Sequence, residues 1–301
     1  MHGNARVFLL MAAMTALVMA LGWMLGGQGG AVMALLLAGG MNFFSWWNSD
    51  KMVLRQQGAV ELSPQQGGDL YRMTADLARR ADLPMPKLYL LPTQQPNAFA
   101  TGRNPDNAAV AVTQGLVSSL SRDEIAGVIA HELAHIKHRD TLTMTVTATM
   151  AGAIAMMGNM MLFTGGRDDR GGGMGAILAM IFAPLAAMMV QMAISRAREY
   201  EADATGAQIC GQPQALASAL AKIAQLAGRT LNIPAEKNPA AASLFIVNPL
   251  NGLRMDSLFA THPPTEERIS RLLALQRPGA AVERRSPIPR SGGRGDGPWG
   301  V

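Results

Sequence analysis

The chain has little cysteine and, over long stretches, no charge at all, and both shortages exclude something. Its one cysteine, Cys210, rules out an internal disulfide and a thiolate-rich metal site, and reads as a small buried side chain. Asp, Glu, Lys and Arg are absent from residues 7–49, 141–166 and 171–195. So uneven a spread of charge does not suit an ordinary soluble fold of 301 residues. It also argues against a transporter, because no ionisable residue in these windows marks a pathway.

About 20 apolar residues in helix cross a hydrocarbon core about 30 Å thick, so each window is long enough to span, and the first is long enough to span twice. Gly26-Gly27-Gln28-Gly29-Gly30 is a turn-like break between apolar runs at Val7 to Leu25 and Ala31 to Trp47. The expectation is therefore two hairpins, four spans in all. The first run also begins as a signal peptide does, with Arg6 ahead of an apolar stretch. It is long, however, lacks a clear small-x-small cleavage site, and is followed almost at once by a second apolar run. The alternative for the later pair is two buried helices that never cross, since Gly, Ala, Met and Thr make it only moderately hydrophobic.

Orientation follows from Lys and Arg near the spans. Residues 26–30 carry none, whereas residues 48–140 hold ten, from Lys51 to Arg139, and Arg196 and Arg198 follow the last window. Both termini and the polar domain should thus be cytoplasmic, although Arg167 and Arg170, beside Asp168 and Asp169, weaken the contrast. The net charge of +5 does not require a nucleic-acid partner. Basic residues beside spans suit an anionic inner leaflet, and much of the remainder lies in the Pro-, Gly- and Arg-rich tail after Gln276, whose composition suits disorder.

Between the windows the pattern is mixed α and β, with no internal repeat. Pro64 to Ala81 reads as an amphipathic helix through Leu70, Met73, Leu77 and Ala81. Lys87 to Leu91 and Ala108 to Thr113 read as strands, and Gln95 to Gly102 between them suits an edge strand. Ser121-Arg122-Asp123-Glu124 is a capping box, and Ile125, Val128, Ile129, Leu133 and Ile136 follow at helical spacing. Further helices are expected over Arg196 to Cys210, from Pro213 to Gly228, and from Pro264 onward.

The capped helix carries His131-Glu132-Leu133-Ala134-His135. Histidines four apart share a helix face and can offer two imidazole nitrogens to one tetrahedral zinc, while Glu132 is directed beside the metal, where it can deprotonate zinc-bound water. A catalytic zinc takes three protein ligands and keeps one position open. His138 lies about 10.5 Å beyond His131 along the axis, too far to join them. Glu199 is the better candidate. It follows the fourth span as His135 precedes the third, so a hairpin returns both to one membrane face. Asp203 shares a helix face with Glu199 and can orient a ligand imidazole. Glu201 points elsewhere on that helix, and either glutamate also suits an ion pair with Arg196 or Arg198.

The strings His131 to Asp140, Asn97 to Gly102, Arg198 to Asp203 and Thr261-His262-Pro263-Pro264 occur in an order that resembles the HtpX heat-shock membrane proteases, of the family that also holds the CAAX prenyl proteases. The resemblance runs from the first hairpin to about residue 276. It implies a zinc metalloendopeptidase with one Zn2+, held by His131, His135 and Glu199, with Glu132 as general base and later proton donor. Asp203 would hold a ligating histidine by its other nitrogen. Asn97, Ala98, Phe99 and Ala100 would form the cleft-edge strand that pairs with an extended substrate. His262 would help stabilise the oxyanion, against a plain reading as a helix-start residue beside two prolines, and Arg268 would brace the site.

The expected fold is a mainly α membrane protein, with helical spans and a cytoplasmic zincin-like domain carrying a small β-sheet. Its parts would be a transmembrane hairpin over 1–48, a first catalytic segment over 49–140, a second hairpin over 141–195, a second catalytic segment over 196–276 and a disordered tail over 277–301. By resemblance it would serve stress-response quality control in a bacterial inner membrane, cutting misfolded membrane proteins or unfolded polypeptides, with no nucleic-acid partner. The rival readings are a prenyl-protein processing protease and a non-catalytic scaffold that keeps zinc for stability.

Overall fold

The structure, a computed structural model, describes residues 2–151, 195–250 and 262–275. Most of the second hairpin expected over 141–195, and the tail expected over 277–301, lie outside them.

Helix α1, His2–Gln56, is two helical arms joined at Gly26 and Gly27. Gly27 has φ 57° and ψ −143°, a conformation that a residue with a Cβ rarely adopts, and this is where the glycine run predicted a break. The arms lie antiparallel, because Asn42 Nδ2 reaches back to donate to Thr15 Oγ1 (2.8 Å) and to the Met11 carbonyl (3.3 Å). Leu36, Phe43 and Phe44 are each more than half exposed. Among the described residues, Gly26–Gln56 is the one helix long and apolar enough to cross a membrane.

Strand β1 (Val60–Glu61) leads into α2 (Pro64–Arg80), whose start is the Ser63–Gln66 capping box. Strands β2 (Lys87–Leu91), β3 (Ala98–Gly102) and β4 (Ala108–Thr113) follow. Together they form one mixed sheet in the order β1-β2-β4-β3, with β2 parallel to β4 and the other pairs antiparallel. β3 therefore lies at an edge. Both faces of the sheet are covered, which explains why its strands read as apolar runs rather than as alternating ones. Leu88, Ala98, Ala100, Val110 and Val112 face a core shared with the helices that follow. Leu91, Phe99, Ala109 and Ala111 face a second core with Val53 and Leu54 of α1, residues 142–151, which are helical and buried, and Phe245.

α3 (Gln114–Ser119) precedes α4 (Arg122–His138), which begins at the capping box of Ser121 and Glu124. Glu124 also accepts from Ser218 Oγ and Lys222 Nζ, tying the start of α4 to the helix that begins at Pro213. α5 (Arg196–Cys210), α6 (Pro213–Ala227), α7 (Ile233–Lys237) and α8 (Thr265–Ala274) complete the described helices. The helices and strands expected outside the charge-free windows are present, with a small sheet among mainly helical described residues; β1, α3 and α7 are too short to stand out by periodicity.

A close contact between two helices sets the site. A Cβ on Gly206 of α5 would lie 2.9 Å from the backbone N and Cα of His131 in α4, so α5 reaches the backbone of α4 at the first histidine. Gly206→Ala must push these helices apart. We expect it to cost about 1–3 kcal/mol, the usual range for overpacking a dense contact, read as a lower unfolding midpoint in detergent. An unchanged midpoint would mean that the contact is not tight.

Candidate metal centre

His131, Glu132 and His135 project from the middle of α4 and are almost wholly buried. The two imidazole rings stand edge to face, at 89°, and their Nε2 atoms are 3.1 Å apart. Glu199, in the first turn of α5, places Oε1 3.6 Å from His135 Nε2 and Oε2 3.8 Å from His131 Nε2. Ligand atoms of a tetrahedral ion bound at about 2.0–2.1 Å lie roughly 3.3 Å apart. These three side chains, whose ligand atoms all lie within 4.8 Å of one another, can hold a metal ion. Glu199 Oε2 and Glu132 Oε1 are buried without a hydrogen-bond partner, as suits atoms facing a cation or its water.

Behind each histidine stands a carboxylate, and behind each carboxylate an arginine. His131 Nδ1 lies 3.0 Å from Asp203 Oδ1, and His135 Nδ1 lies 3.4 Å from Asp140 Oδ2. This leaves both Nε2 atoms turned toward the shared centre. Arg268 of α8, 1% exposed, grips Asp203 with Nη2 (2.7 Å) and Nε (2.8 Å), and its Nη1 stands 3.7 Å from Glu199 Oε2. Arg198 Nη1 lies 3.1 Å from Asp140 Oδ1.

Burial and these neighbours set the protonation states. Burial pushes the Glu132 carboxyl up to about 7, and Glu199 adds to the rise. His131 is pushed down to about 4, mainly by burial, which its Asp203 partner only partly offsets. Burial likewise opposes charge on His135, but Asp140, Glu199 and Glu132 outweigh it and raise this imidazole to about 9. The Glu199 carboxyl is held well below its usual range against burial by His262, His135 and Arg268. One acidic ligand, a neutral His131 and a carboxyl poised near neutrality thus share one small volume.

Of the remaining expected residues, His262 lies at this centre, with Nδ1 3.6 Å from Glu199 Oε2, and neither ring nitrogen has a hydrogen bond within 3.5 Å among the described residues. Asn97, Ala98, Phe99 and Ala100 are all buried at the β3 edge, and the Ala100 backbone amide reaches Glu132. Glu201 is exposed, away from the cluster, and His138 Nε2 meets Thr205 Oγ1 at 3.3 Å. Asp140 was not singled out as a partner of His135. It follows Arg139, which closes α4 in the left-handed conformation (φ 61°) and so turns Asp140 back, its N–H donating to the His135 carbonyl at 3.0 Å. The signal was present in the run from His131 to Asp140, but no helical spacing could express it.

Residues 64–276 match the peptidase family M48. Among solved structures, the Ste24p crystal structure from S. mikatae is similar at 20% identity, covering 89% of this chain and 67% of that one, with a TM-score of 0.42. The family match covers well over half of the chain and contains both histidines, Glu132 and Glu199. The chain belongs to peptidase family M48 and is a metallopeptidase.

Proposed function

We propose that the chain is a zinc-dependent endopeptidase of a bacterial inner membrane, cutting misfolded or damaged membrane proteins and unfolded polypeptides at the cytoplasmic face as part of a stress response. The observation that carries the chemistry is the buried trio of His131, His135 and Glu199 with Glu132 beside it. Two imidazoles and one carboxylate form a ligand set of the kind that catalytic zinc sites use with an open fourth position. Zinc bound there would polarise the scissile carbonyl and lower the pKa of its water toward 7.

The chain's own residues supply the rest. Glu132 takes the proton of the attacking water and delivers it to the leaving amine, a task suited to a carboxyl held near 7. His262, whose Nδ1 faces Glu199 and whose Nε2 has no hydrogen-bond partner among the described residues, stands at the rim to donate to the developing oxyanion. Asp203 and Asp140 fix the two ligand rings, and Arg268 holds Asp203. The β3 edge receives an extended backbone. A base beside an open metal position has no use in a structural site, which favours a protease over a zinc-holding scaffold.

The membrane reading rests on the charge-free windows and on the exposed apolar faces of the α1 hairpin. The hairpin over 1–48 and the second over 141–195 would anchor catalytic segments at 49–140 and 196–276, leaving the tail at 277–301.

Three results would test this. Glu132→Gln should retain zinc and lose cleavage of an unfolded polypeptide by about 10²–10⁴-fold, the usual worth of a positioned general base, whereas Glu199→Gln should lose zinc and Glu201→Gln should keep both. Equal degradation by wild type and Glu132→Gln would end the mechanism. Asp140→Asn and Asp203→Asn should each weaken zinc binding about 10–100-fold in a competition titration, and full affinity in both would deny them their orienting role. In a Cys210→Ala background, a cysteine at Gln28 should react with a membrane-impermeant thiol reagent in intact cells while one at Arg79 should not; the reverse pattern would invert the topology.

A further inference from the structure

The edge expected to receive substrate is not bare. Ile246 N–H donates to the Ala98 carbonyl at 3.0 Å, on the side of β3 away from β4. Asn97 Nδ2 donates to the Val247 carbonyl at 2.7 Å, and Val247 N–H approaches Asn97 Oδ1 at 3.4 Å. Arg268 Nη1 donates to the Ile246 carbonyl at 2.8 Å, and three residues farther on the Pro249 carbonyl accepts from Gln95 Nε2 at 2.9 Å. The Ile246 side chain is buried in the core that contains Val128, Ile129 and Leu133 of α4, and the Phe245 ring packs edge-on against Phe99.

These partners are the groups an incoming extended chain needs. A backbone laid along an edge strand seeks a strand carbonyl for its N–H and donors for its own carbonyls. Here the Ala98 carbonyl, both ends of the Asn97 amide and one arm of Arg268 face that route, and Ile246 and Val247 engage all of them. The position is beside the chemistry, since the Ala100 amide reaches Glu132 and the arginine nitrogen that holds Ile246 stands 3.7 Å from Glu199 Oε2. On the segment's side every one of these bonds is made by backbone N–H or C=O, groups that any polypeptide carries, so another polypeptide can exchange for them.

We propose that Phe245–Pro249 is an internal substrate mimic: it covers the β3 edge in the resting protein, and a polypeptide substrate binds by displacing Ile246 and Val247 from Asn97, Ala98 and Arg268. This rests on the endopeptidase reading above. It makes cleavage self-limiting, because only a segment able to form the same backbone bonds, with an apolar side chain for the Ile246 pocket, competes for the edge.

The test is hydrogen exchange on full-length, zinc-loaded Glu132→Gln protein in detergent, with and without a saturating, labelled, permanently unfolded polypeptide whose binding is followed by anisotropy. Bound polypeptide should speed exchange of the Ile246 and Val247 amides by about fivefold or more, the size of one net hydrogen bond, and leave residues 108–113 unchanged. Ile246→Pro, which lacks the N–H given to Ala98, should bind the polypeptide about fivefold more tightly by the same measure. Polypeptide that binds while residues 245–249 keep or gain protection would overturn the mimic and make the segment a fixed wall. So would an Ile246→Pro chain that melts as wild type does and binds no tighter; if that variant does not fold, the exchange result decides. Absence of any polypeptide binding, together with absence of cleavage by wild type, would instead bring down the endopeptidase reading and the mimic with it.

Discussion

The contact on which the site depends is the approach of α5 to α4 at Gly206, where only a hydrogen fits against the His131 backbone. The ligands come from segments separated by two charge-free stretches and the charged turn between them, and their atoms must converge to within a few tenths of an ångström. A glycine at the crossing lets the two backbones approach more closely than a side chain there would allow. Once the backbones touch there, Glu199 faces the Nε2 atoms of both histidines, and Asp203, one turn on along α5, faces the Nδ1 of His131.

Charge holds the arrangement together in depth. Four carboxylates (Glu132, Asp140, Glu199, Asp203) and two arginines (Arg198, Arg268) gather around the two histidines, and most of these groups have little contact with water. An unpaired buried charge is expensive, so each must be matched geometrically by a neighbour from another element. Arg268 does this for Asp203, Glu199 and the Ile246 carbonyl together, which couples α8 to the metal ligands and to the strand edge. Removing it would leave several acceptors stranded.

Legibility in the sequence followed the range of the interactions. The α4 start at Ser121, the strands at 87–91 and 108–113, and the break at Gly26 and Gly27 are set by neighbours within a few residues, and these stood out. His131, Glu132 and His135 share one helix face for the same reason. Glu199 needs an argument about chain return, and helical spacing ranks it above Glu201 without excluding an ion-pair role for either; their burial differs completely. Asp140 and the docking of Ile246 on Ala98 had no periodic signature, because one depends on a left-handed residue after a helix and the other on pairing between distant segments.

Arg103 lies over the Trp47 ring, 4.2 Å from its centroid, and directly follows the last residue of β3. Tryptophan at the end of an apolar helix suits a bilayer's headgroup level, so on the proposed membrane reading this cation–π contact sets the height of the sheet above the lipid. A five-residue strand is about 17 Å long. The cleft edge would then begin at the lipid boundary and end within two nanometres of it. A transmembrane protein could be cut in the first few residues that leave the bilayer, without being pulled out of it.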